Sequence, residues 1–227
     1  MSELGVITTV VIDVLGTLVD EPGGLTTAIA EAVGDKQDAT ELLAVWQEHI
    51  EEQQQRILRG LRDYANSDQL DAEAAGLVMD RADITDPARR NRLAAATRRL
   101  RPWADAPAGV DRLAQHVTVF ALSNSSVATL EELGSHAELR WHRALSAEEV
   151  RTYKLSPEVY RLAIESAGTP PDHMLMVAAH AWDLRAAQAA GMRAAYVHRP
   201  VGDAPSGADR FDGYFDGLDE LATALRG

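Results

Sequence analysis

The segment VITTVVID, residues 6–13, decides the fold, because it is short, β-branched and largely apolar. Such a run is typical of a central parallel strand that is buried on both faces of a sheet. It leads into Gly16 and Thr17, a turn signal at the carboxyl end of the predicted strand. Ligands bind at that end of the strands in α/β sheets. We therefore predict an α/β protein with Asp13 at the ligand-binding edge.

The pattern changes to helical spacing between this strand and about residue 100. Weaker helical patterns cover residues 71–80 and 88–100, and no strand-like run interrupts the stretch. The first long helix carries an apolar stripe formed by Leu43, Trp46, Ile50, Ile57 and Leu61. We predict a helical domain over residues 21–100, inserted into a core domain of residues 1–20 and 101–227. The stripe serves either a core within the chain or an interface between subunits.

Strands and helices alternate in the rest of the chain, which predicts a doubly wound parallel sheet. The predicted strands are residues 117–122, 140–144, 174–178 and 194–197. Four helices are predicted. The first follows the capping cluster at 123–126, and the second begins near Ser156-Pro157. The third runs through 184–190 and ends before Gly191, and the fourth covers 219–225. Residues 201–208, rich in Gly, Pro and Asp, are predicted to form a surface loop.

Composition narrows the possible functions. The 227 residues are 46% hydrophobic and 25% charged, as expected for a soluble globular protein. Cysteine is absent, which excludes disulfides, thiolate zinc sites and cysteine nucleophiles. The net charge of -13 and the lack of a clustered basic face argue against nucleic acid, and the stretch Arg89–Arg101 is interpreted as a solvated helix face. No apolar run reaches the ~20 residues of a membrane helix, and Met1–Gly5 lacks a basic n-region. We expect a cytoplasmic protein that does not bind membranes.

Polar residues gather at the ends of the predicted strands. They are Asp13, Thr17, Ser123, Asn124, Lys154, His180 and Asp183. Because the carboxyl ends of parallel strands share one edge, we expect these side chains to meet. A buried carboxylate such as Asp13 needs a partner, and Lys154 would keep it ionised. Asp183 would hold Lys154 or orient a water molecule. A carboxylate in this setting can act as a nucleophile and form an ester that water later cleaves.

Five segments together resemble a known family. They are VIDVLGTLVD (11–20), RLRPWADAPAGVDRLA (99–114), LSNSS (122–126), YKLSPEVY (153–160) and VAAHAWDLRAAQAAGM (177–192). Four of them resemble the ordered motifs of the HAD superfamily, and all five resemble its 2-haloacid dehalogenase branch. The resemblance implies a HAD-like core with a helical cap inserted after the first strand. It also implies hydrolysis of short 2-haloalkanoic acids, with the L enantiomer as the expected substrate and without a metal or organic cofactor. The family often forms dimers through cap helices, so a homodimer is one expected state.

The resemblance also implies roles for individual residues. Asp13 would attack the carbon that bears the halogen, and Thr17, Ser123, Lys154 and Asp183 would support the nucleophile and the hydrolytic water. Backbone donors near Leu15, with Ser123, would bind the substrate carboxylate, and Asn124 would receive the halide. His180 would assist a water molecule or act as a hydrogen-bonding spacer. Trp46, Tyr64 and Trp103 would line a halide pocket or belong to the core.

Two departures from related families leave alternatives open. Phosphatases of the superfamily usually carry a second Asp where this chain has Leu15, and acidic magnesium ligands where it has Ala178-Ala179-His180. This favours a dehalogenase over a magnesium-dependent phosphohydrolase. Dehalogenases commonly place an arginine after the tryptophan of the first cap helix, and this chain has Gln47 there. A neutral amide binds an anion less well than a guanidinium does. A catalytically weak binding protein, or a hydrolase of another activated carbon, therefore stays an alternative.

Overall fold

A six-stranded parallel sheet forms the centre of the protein, in a computed structural model that describes residues 4–34 and 37–226. The strand order is β3-β2-β1-β4-β5-β6, so the first strand lies in the middle. The strands are β1 (Thr9–Asp13), β2 (Thr118–Ser123), β3 (Arg143–Ser146), β4 (Met174–Ala178), β5 (Arg193–Val197) and β6 (Gly213–Phe215). The predicted doubly wound α/β fold is confirmed. The prediction for Met1–Gly5 lies partly outside the described residues.

Helices surround the sheet and fill the interval between its first two strands. That interval holds α1 (Glu21–Val33), α2 (Ala39–Leu58), α3 (Ser67–Arg81) and α4 (Pro87–Ala94). The remaining helices are α5 (Ala106–Ala114), α6 (Val127–His136), α7 (Pro157–Ala167), α8 (Ala181–Ala189) and α9 (Leu218–Ala224). Among the described residues, no helix is long and apolar enough to cross a membrane.

Alternation along β1 explains why its run is apolar throughout. Val10 and Ile12 point to one face of the sheet, where they belong to a core with α5, α6 and α9. Val11 points to the other face, where it packs in a second core with α7 and α8. Every residue of β1 is buried, and a strand covered on both faces requires a continuous apolar sequence. Asp13 therefore enters the interior at the end of one of the two central strands.

The helices between β1 and β2 have a hydrophobic core of their own. Leu25 of α1, Trp46 of α2, Val78 of α3 and Leu93 of α4 all belong to it. Leu43 lies in the same core, so the apolar stripe of α2 packs largely within the chain. Leu61 departs from the prediction, because α2 ends at Leu58 and the Leu61 side chain is 67% exposed.

Several predicted boundaries differ from those in the structure. The first strand begins at Thr9 because the chain from Leu4 to Val6 forms a turn. The predicted helix over 88–100 ends at Ala94, and a 3-10 turn, Ala96–Arg99, follows it. The third strand is Arg143–Ser146 instead of 140–144. Strand β6 was not predicted, because it has only three residues, lies at the sheet edge and is partly exposed, so its sequence contains no apolar run.

Candidate active site

The carboxyl edge of the sheet brings the predicted polar residues together. Strand β1 pairs with β2 on one side and β4 on the other, and Asp13 is aligned with Leu122. Ser123 ends β2, directly after that partner. The chain after β4 turns at His180 into α8, which carries Asp183 in its first turn. The geometry therefore agrees with the convergence that strand ends predict.

Lys154 forms ion pairs with two carboxylates in the interior. Its Nζ lies 2.5 Å from Asp13 Oδ1 and 2.8 Å from Asp183 Oδ2, and all three side chains are buried. Burial by itself would lower the pKa of Lys154, but the charges of Asp13 and Asp183 outweigh it and the pKa is raised. The ammonium therefore stays charged and holds the Asp13 carboxylate in a fixed position.

Thr17 holds the other oxygen of Asp13. Its Oγ1 donates a hydrogen bond of 2.5 Å to Asp13 Oδ2 and accepts one of 2.9 Å from the Ala179 N–H. The turn between the two residues depends on Gly16, whose φ of +77° lies in the region that favours glycine. Both Asp13 oxygens are thus oriented by hydrogen bonds, one from Lys154 and one from Thr17.

Tyr160 is a member of this network that the motif analysis did not single out. Its hydroxyl donates a hydrogen bond of 2.6 Å to Asp183 Oδ1. Burial, together with the Asp183 charge, raises the pKa of Tyr160 above its usual value, so the phenol remains a donor. A buried tyrosine hydroxyl requires a partner, and Tyr160 lies within the quoted YKLSPEVY segment; only the packing of α7 identifies that partner.

Asn124 and Ser123 bound the same site from the end of β2. Asn124 Oδ1 accepts a hydrogen bond of 2.8 Å from the Lys154 backbone N–H, which fixes the segment that carries the lysine. The side-chain amide N–H₂ of Asn124 is then the group available to a ligand. Ser123 Oγ donates to Ser125 Oγ and accepts from the Ser125 N–H, both at 3.1 Å.

A cavity of about 210 Å³ adjoins this network, and we call it the inner cavity. Residues of the sheet edge line one part of it: Asp13, Leu15, Ser123, Asn124, Ser125, Lys154, His180 and Trp182. Helices α1 to α3 and the 3-10 turn after α4 line the other part: Glu21, Trp46, Ile50, Gln54, Ser67, Leu70, Asp71 and Thr97. An outer cavity of about 520 Å³ shares Trp46, Trp182 and Glu21 with it.

The predicted substrate-binding residues His180, Gln47 and Trp103 differ in their position relative to the two cavities. His180 lines the inner cavity, where its Nε2 lies 3.3 Å from the Leu15 carbonyl oxygen and its ring stacks on Trp182. Gln47 is exposed and lines the outer cavity. Trp103 is not among the lining residues of either cavity, and this departs from the prediction.

Trp103 instead supports the turn after β1 from behind. Its Nε1 donates a hydrogen bond of 3.1 Å to the Gly16 carbonyl, and the ring packs against the core. The Arg199 guanidinium lies 5.9 Å from its centroid and donates through Nε to the Thr17 carbonyl at 2.8 Å. Tyr64 packs against Tyr153 in a small apolar cluster and is not among the residues that line the inner cavity. Tryptophan and tyrosine on helical or loop segments often serve such packing roles.

Two acidic side chains in the inner cavity were not predicted. Glu21 begins α1 and Asp71 lies in α3. Burial raises the pKa of both carboxyls to about 7. No strand end or motif marks them, because their position depends on how the helices pack over the sheet.

Comparison with known proteins identifies the family. Residues 7–191 match the family described as haloacid dehalogenase-like hydrolase. The chain belongs to that family. An (S)-2-haloacid dehalogenase of Pseudomonas putida is 29% identical over 198 residues, which are 85% of each chain.

The similarity to haloacid dehalogenases also holds for the three-dimensional structure of nearly the whole chain. A defluorinating L-2-haloacid dehalogenase superposes with a TM-score of 0.89 at 27% identity, covering 97% of this chain and 96% of the other. Another L-2-haloacid dehalogenase superposes with a TM-score of 0.88 at 29% identity, covering 97% and 99%. The match therefore includes the helices between β1 and β2 as well as the sheet.

Proposed function

We propose that this haloacid dehalogenase-like hydrolase cleaves the carbon–halogen bond of short 2-haloalkanoic acids, with Asp13 as the nucleophile. The observation that carries the proposal is the Asp13 carboxylate, which lines an inner cavity while Lys154 and Thr17 hold its two oxygens. The dehalogenase names of the relatives support the same chemistry. Leu15 adds to it, because an apolar side chain cannot donate the proton that the alcohol leaving group of a phosphate ester needs.

The proposed reaction has two steps. An Asp13 oxygen attacks the substrate carbon next to the carboxyl group, the carbon–halogen bond breaks, and the halide leaves with the bonding electrons. A water molecule then adds to the Asp13 ester carbonyl, and the bond between that carbonyl carbon and the ester oxygen breaks. The products are a 2-hydroxy acid, a proton and the free Asp13 carboxylate. Lys154 and Thr17 would orient the nucleophile; Asp183, which contacts Lys154, and His180, which lines the inner cavity, would assist the water.

The remaining residues have proposed roles in binding. Ser123 and backbone donors near Leu15 would take the substrate carboxylate, and the Asn124 amide would receive the halide. We assign residues 21–100 to a cap that excludes water from the cavity by closing over residues 1–20 and 101–227, the core domain. A homodimer and a cytoplasmic location are part of the same proposal; the absence of cysteine fits a reducing compartment.

Halide release from purified protein tests this function. The substrates are L- and D-2-chloropropionate, chloroacetate and fluoroacetate, each assayed with EDTA and with an Asp13→Asn control. We expect release that survives EDTA and is lost in Asp13→Asn, which keeps the side-chain size but removes the nucleophile. Magnesium-dependent cleavage of a phosphate ester without halide release would contradict the proposal and favour a phosphohydrolase. Inactivity in both assays would favour a binding protein.

A further inference from the structure

Four consecutive residues at the start of α3, 65–68, each form a hydrogen bond with the proposed core domain. The Tyr153 hydroxyl donates to the Ala65 carbonyl at 2.7 Å. Asn66 Nδ2 donates to Glu148 Oε1 at 2.8 Å. The other two residues bind the start of α6. We call residues 65–68 the core-binding segment, because it attaches the inserted helices to the chain around the sheet.

Within this segment, Ser67 and Asp68 fix both the backbone and the side chain of Ser126. Ser67 Oγ accepts a hydrogen bond of 2.7 Å from the Ser126 N–H. Asp68 Oδ1 accepts from the Ser126 hydroxyl at 2.9 Å and from the Thr129 hydroxyl at 2.6 Å. Ser126 and Thr129 are each 1% exposed, and a buried donor is costly to leave without an acceptor. The start of α6 therefore depends on acceptors that α3 supplies.

Ser126 ends a short loop that carries two residues with proposed roles in substrate binding. The loop begins at Ser123, the last residue of β2, where pairing with β3 fixes the backbone. Asn124 follows, and its Oδ1 accepts a hydrogen bond from the Lys154 N–H. Because only two positions separate Asn124 from Ser126, a shift of Ser126 moves the Asn124 backbone as well. The contacts of α3 thus influence the site through this loop.

We propose that Ser67 and Asp68 are positioning residues, which hold Ser123 and Asn124 where they bind the substrate carboxylate and the halide. The inference rests on the roles proposed above for Ser123 and Asn124. It gives the inserted helices a second part in the reaction. Besides covering the cavity, they complete the substrate site by fixing the loop after β2.

Two substitutions of Asp68 separate the hydrogen bonds from the charge. Asp68→Asn keeps an oxygen acceptor for the Ser126 and Thr129 hydroxyls, whereas Asp68→Ala removes it. Both substitutions remove the ion pair of 3.1 Å between Asp68 and Arg98. We expect Asp68→Ala to raise KM for (S)-2-bromopropionate about fivefold or more, and Asp68→Asn to leave it within about twofold of the wild type. The change in kcat should be smaller than that in KM, because Thr17 and Lys154 still hold the Asp13 carboxylate.

Glu132→Ala is the matched control for the lost ion pair. Glu132 is an exposed residue of α6 and forms the other ion pair of Arg98, at 2.7 Å. Its removal leaves the hydrogen bonds of the core-binding segment in place, so we expect KM within about twofold of the wild type. An unchanged KM in Asp68→Ala would overturn the proposal. An increase as large in Asp68→Asn or in Glu132→Ala would overturn it as well, since charge would then explain the effect.

Ser67→Ala tests the same proposal if Asp68→Ala does not fold. It removes only the acceptor of the Ser126 N–H and leaves the Asp68 contacts in place. We expect KM to rise about threefold. A KM equal to that of the wild type would mean that the Ser126 backbone does not control the site, and would overturn the role of Ser67.

Binding of isobutyrate distinguishes this inference from the dehalogenase function. Isobutyrate has a methyl group where the halogen would be, so calorimetric titration needs no turnover. Affinity that falls about fivefold or more in Asp68→Ala but is kept in Asp68→Asn would support the positioning roles. That result would stand even without bromide release, which would count only against the reaction at Asp13. Equal affinity in all three proteins, or no binding to the wild type, would overturn the positioning roles.

Discussion

At the scale of single residues, Lys154 combines charge with small size. The chain contains only two lysines, Lys36 and Lys154, among its 22 Lys and Arg residues. A compact ammonium fits between Asp13 Oδ1 and Asp183 Oδ2, at 2.5 and 2.8 Å, whereas a planar guanidinium is larger and binds carboxylates through a fixed fork. Lys154 could be predicted from the sequence because it lies beside a predicted helix start and because its positive charge can pair with the Asp13 carboxylate.

The raised pKa of Asp71 predicts how the stability of the protein depends on pH. Burial, with a smaller effect of the Asp68 charge, raises the pKa of its carboxyl from 3.8 to about 7. The folded state therefore binds a proton more tightly than the unfolded state, and stability falls as pH rises from about 4 to about 7. The Asp71→Asn side chain does not ionise, so the variant does not lose this stability as the pH rises. We expect its free energy of unfolding relative to the wild type to increase by roughly 1–3 kcal/mol between pH 5 and pH 8.

Urea unfolding at the two pH values measures this difference. Asp209→Asn is a suitable comparison, because hydrogen bonding to Arg185 and Ser206 lowers the pKa of that carboxyl and the opposite sign applies. A wild-type Asp209 carboxylate stabilises the fold above its unfolded pKa, and that stabilisation is already complete at pH 5. The Asp209 variant should therefore show the same difference from the wild type at both pH values. A pH-independent effect of Asp71→Asn would contradict the raised pKa.

At the scale of elements, the turn from β1 to Thr17 requires glycine for two reasons. Gly16 has a φ of +77°, and a Cβ at this position would lie 2.6 Å from His180 Nε2. We expect Gly16→Ala to cost roughly 2–4 kcal/mol in stability, through backbone strain and the collision. The change should also lower kcat at least tenfold, because the turn carries the contact between Thr17 and Asp13.

Gly168→Ala is the matched control for this turn. Gly168 ends α7 with a φ of +60°, and no atom lies within 4 Å of a Cβ placed there. The substitution should cost about 1 kcal/mol from strain alone and leave kcat unchanged. Thermal unfolding and halide release from both variants decide the matter. Equal kcat in Gly16→Ala and the wild type would mean that the turn does not control the nucleophile.

Elements also determine what the sequence could predict. Strands β1 and β4 were predictable because both faces are buried, which demands an apolar run. The ends of such strands then located Asp13 and Asp183 without any knowledge of packing. Glu21 and Asp71 could not be found in this way. They lie on helices whose spacing identifies a buried face but not the cavity that this face meets, since that depends on how α1 and α3 pack over the sheet.

At the scale of the whole molecule, the core of the inserted helices meets the sheet at the site. One group of helices packs around Trp46 and Leu93, while the sheet carries a core on each face. The apolar patterns predicted these parts because their strands and helices are each built from a continuous stretch of chain. The junction was less predictable: Tyr153 donates to the Ala65 carbonyl across 88 positions, and no periodicity encodes such a contact.

The net charge of -13, from 35 acidic and 22 basic residues, should influence how a charged substrate approaches the protein. A negative protein repels a carboxylate over roughly 30 Å at 0.01 M salt but only about 10 Å at 0.1 M. We expect kcat/KM for (S)-2-bromopropionate to rise about two- to fivefold between roughly 0.01 and 0.3 M sodium chloride. Released bromide is measured, so added chloride does not interfere with detection. (S)-2-bromopropionamide, which has no charge, is the control for chloride inhibition and should show no such rise. Equal salt dependence for both substrates would mean that the global field does not influence substrate entry.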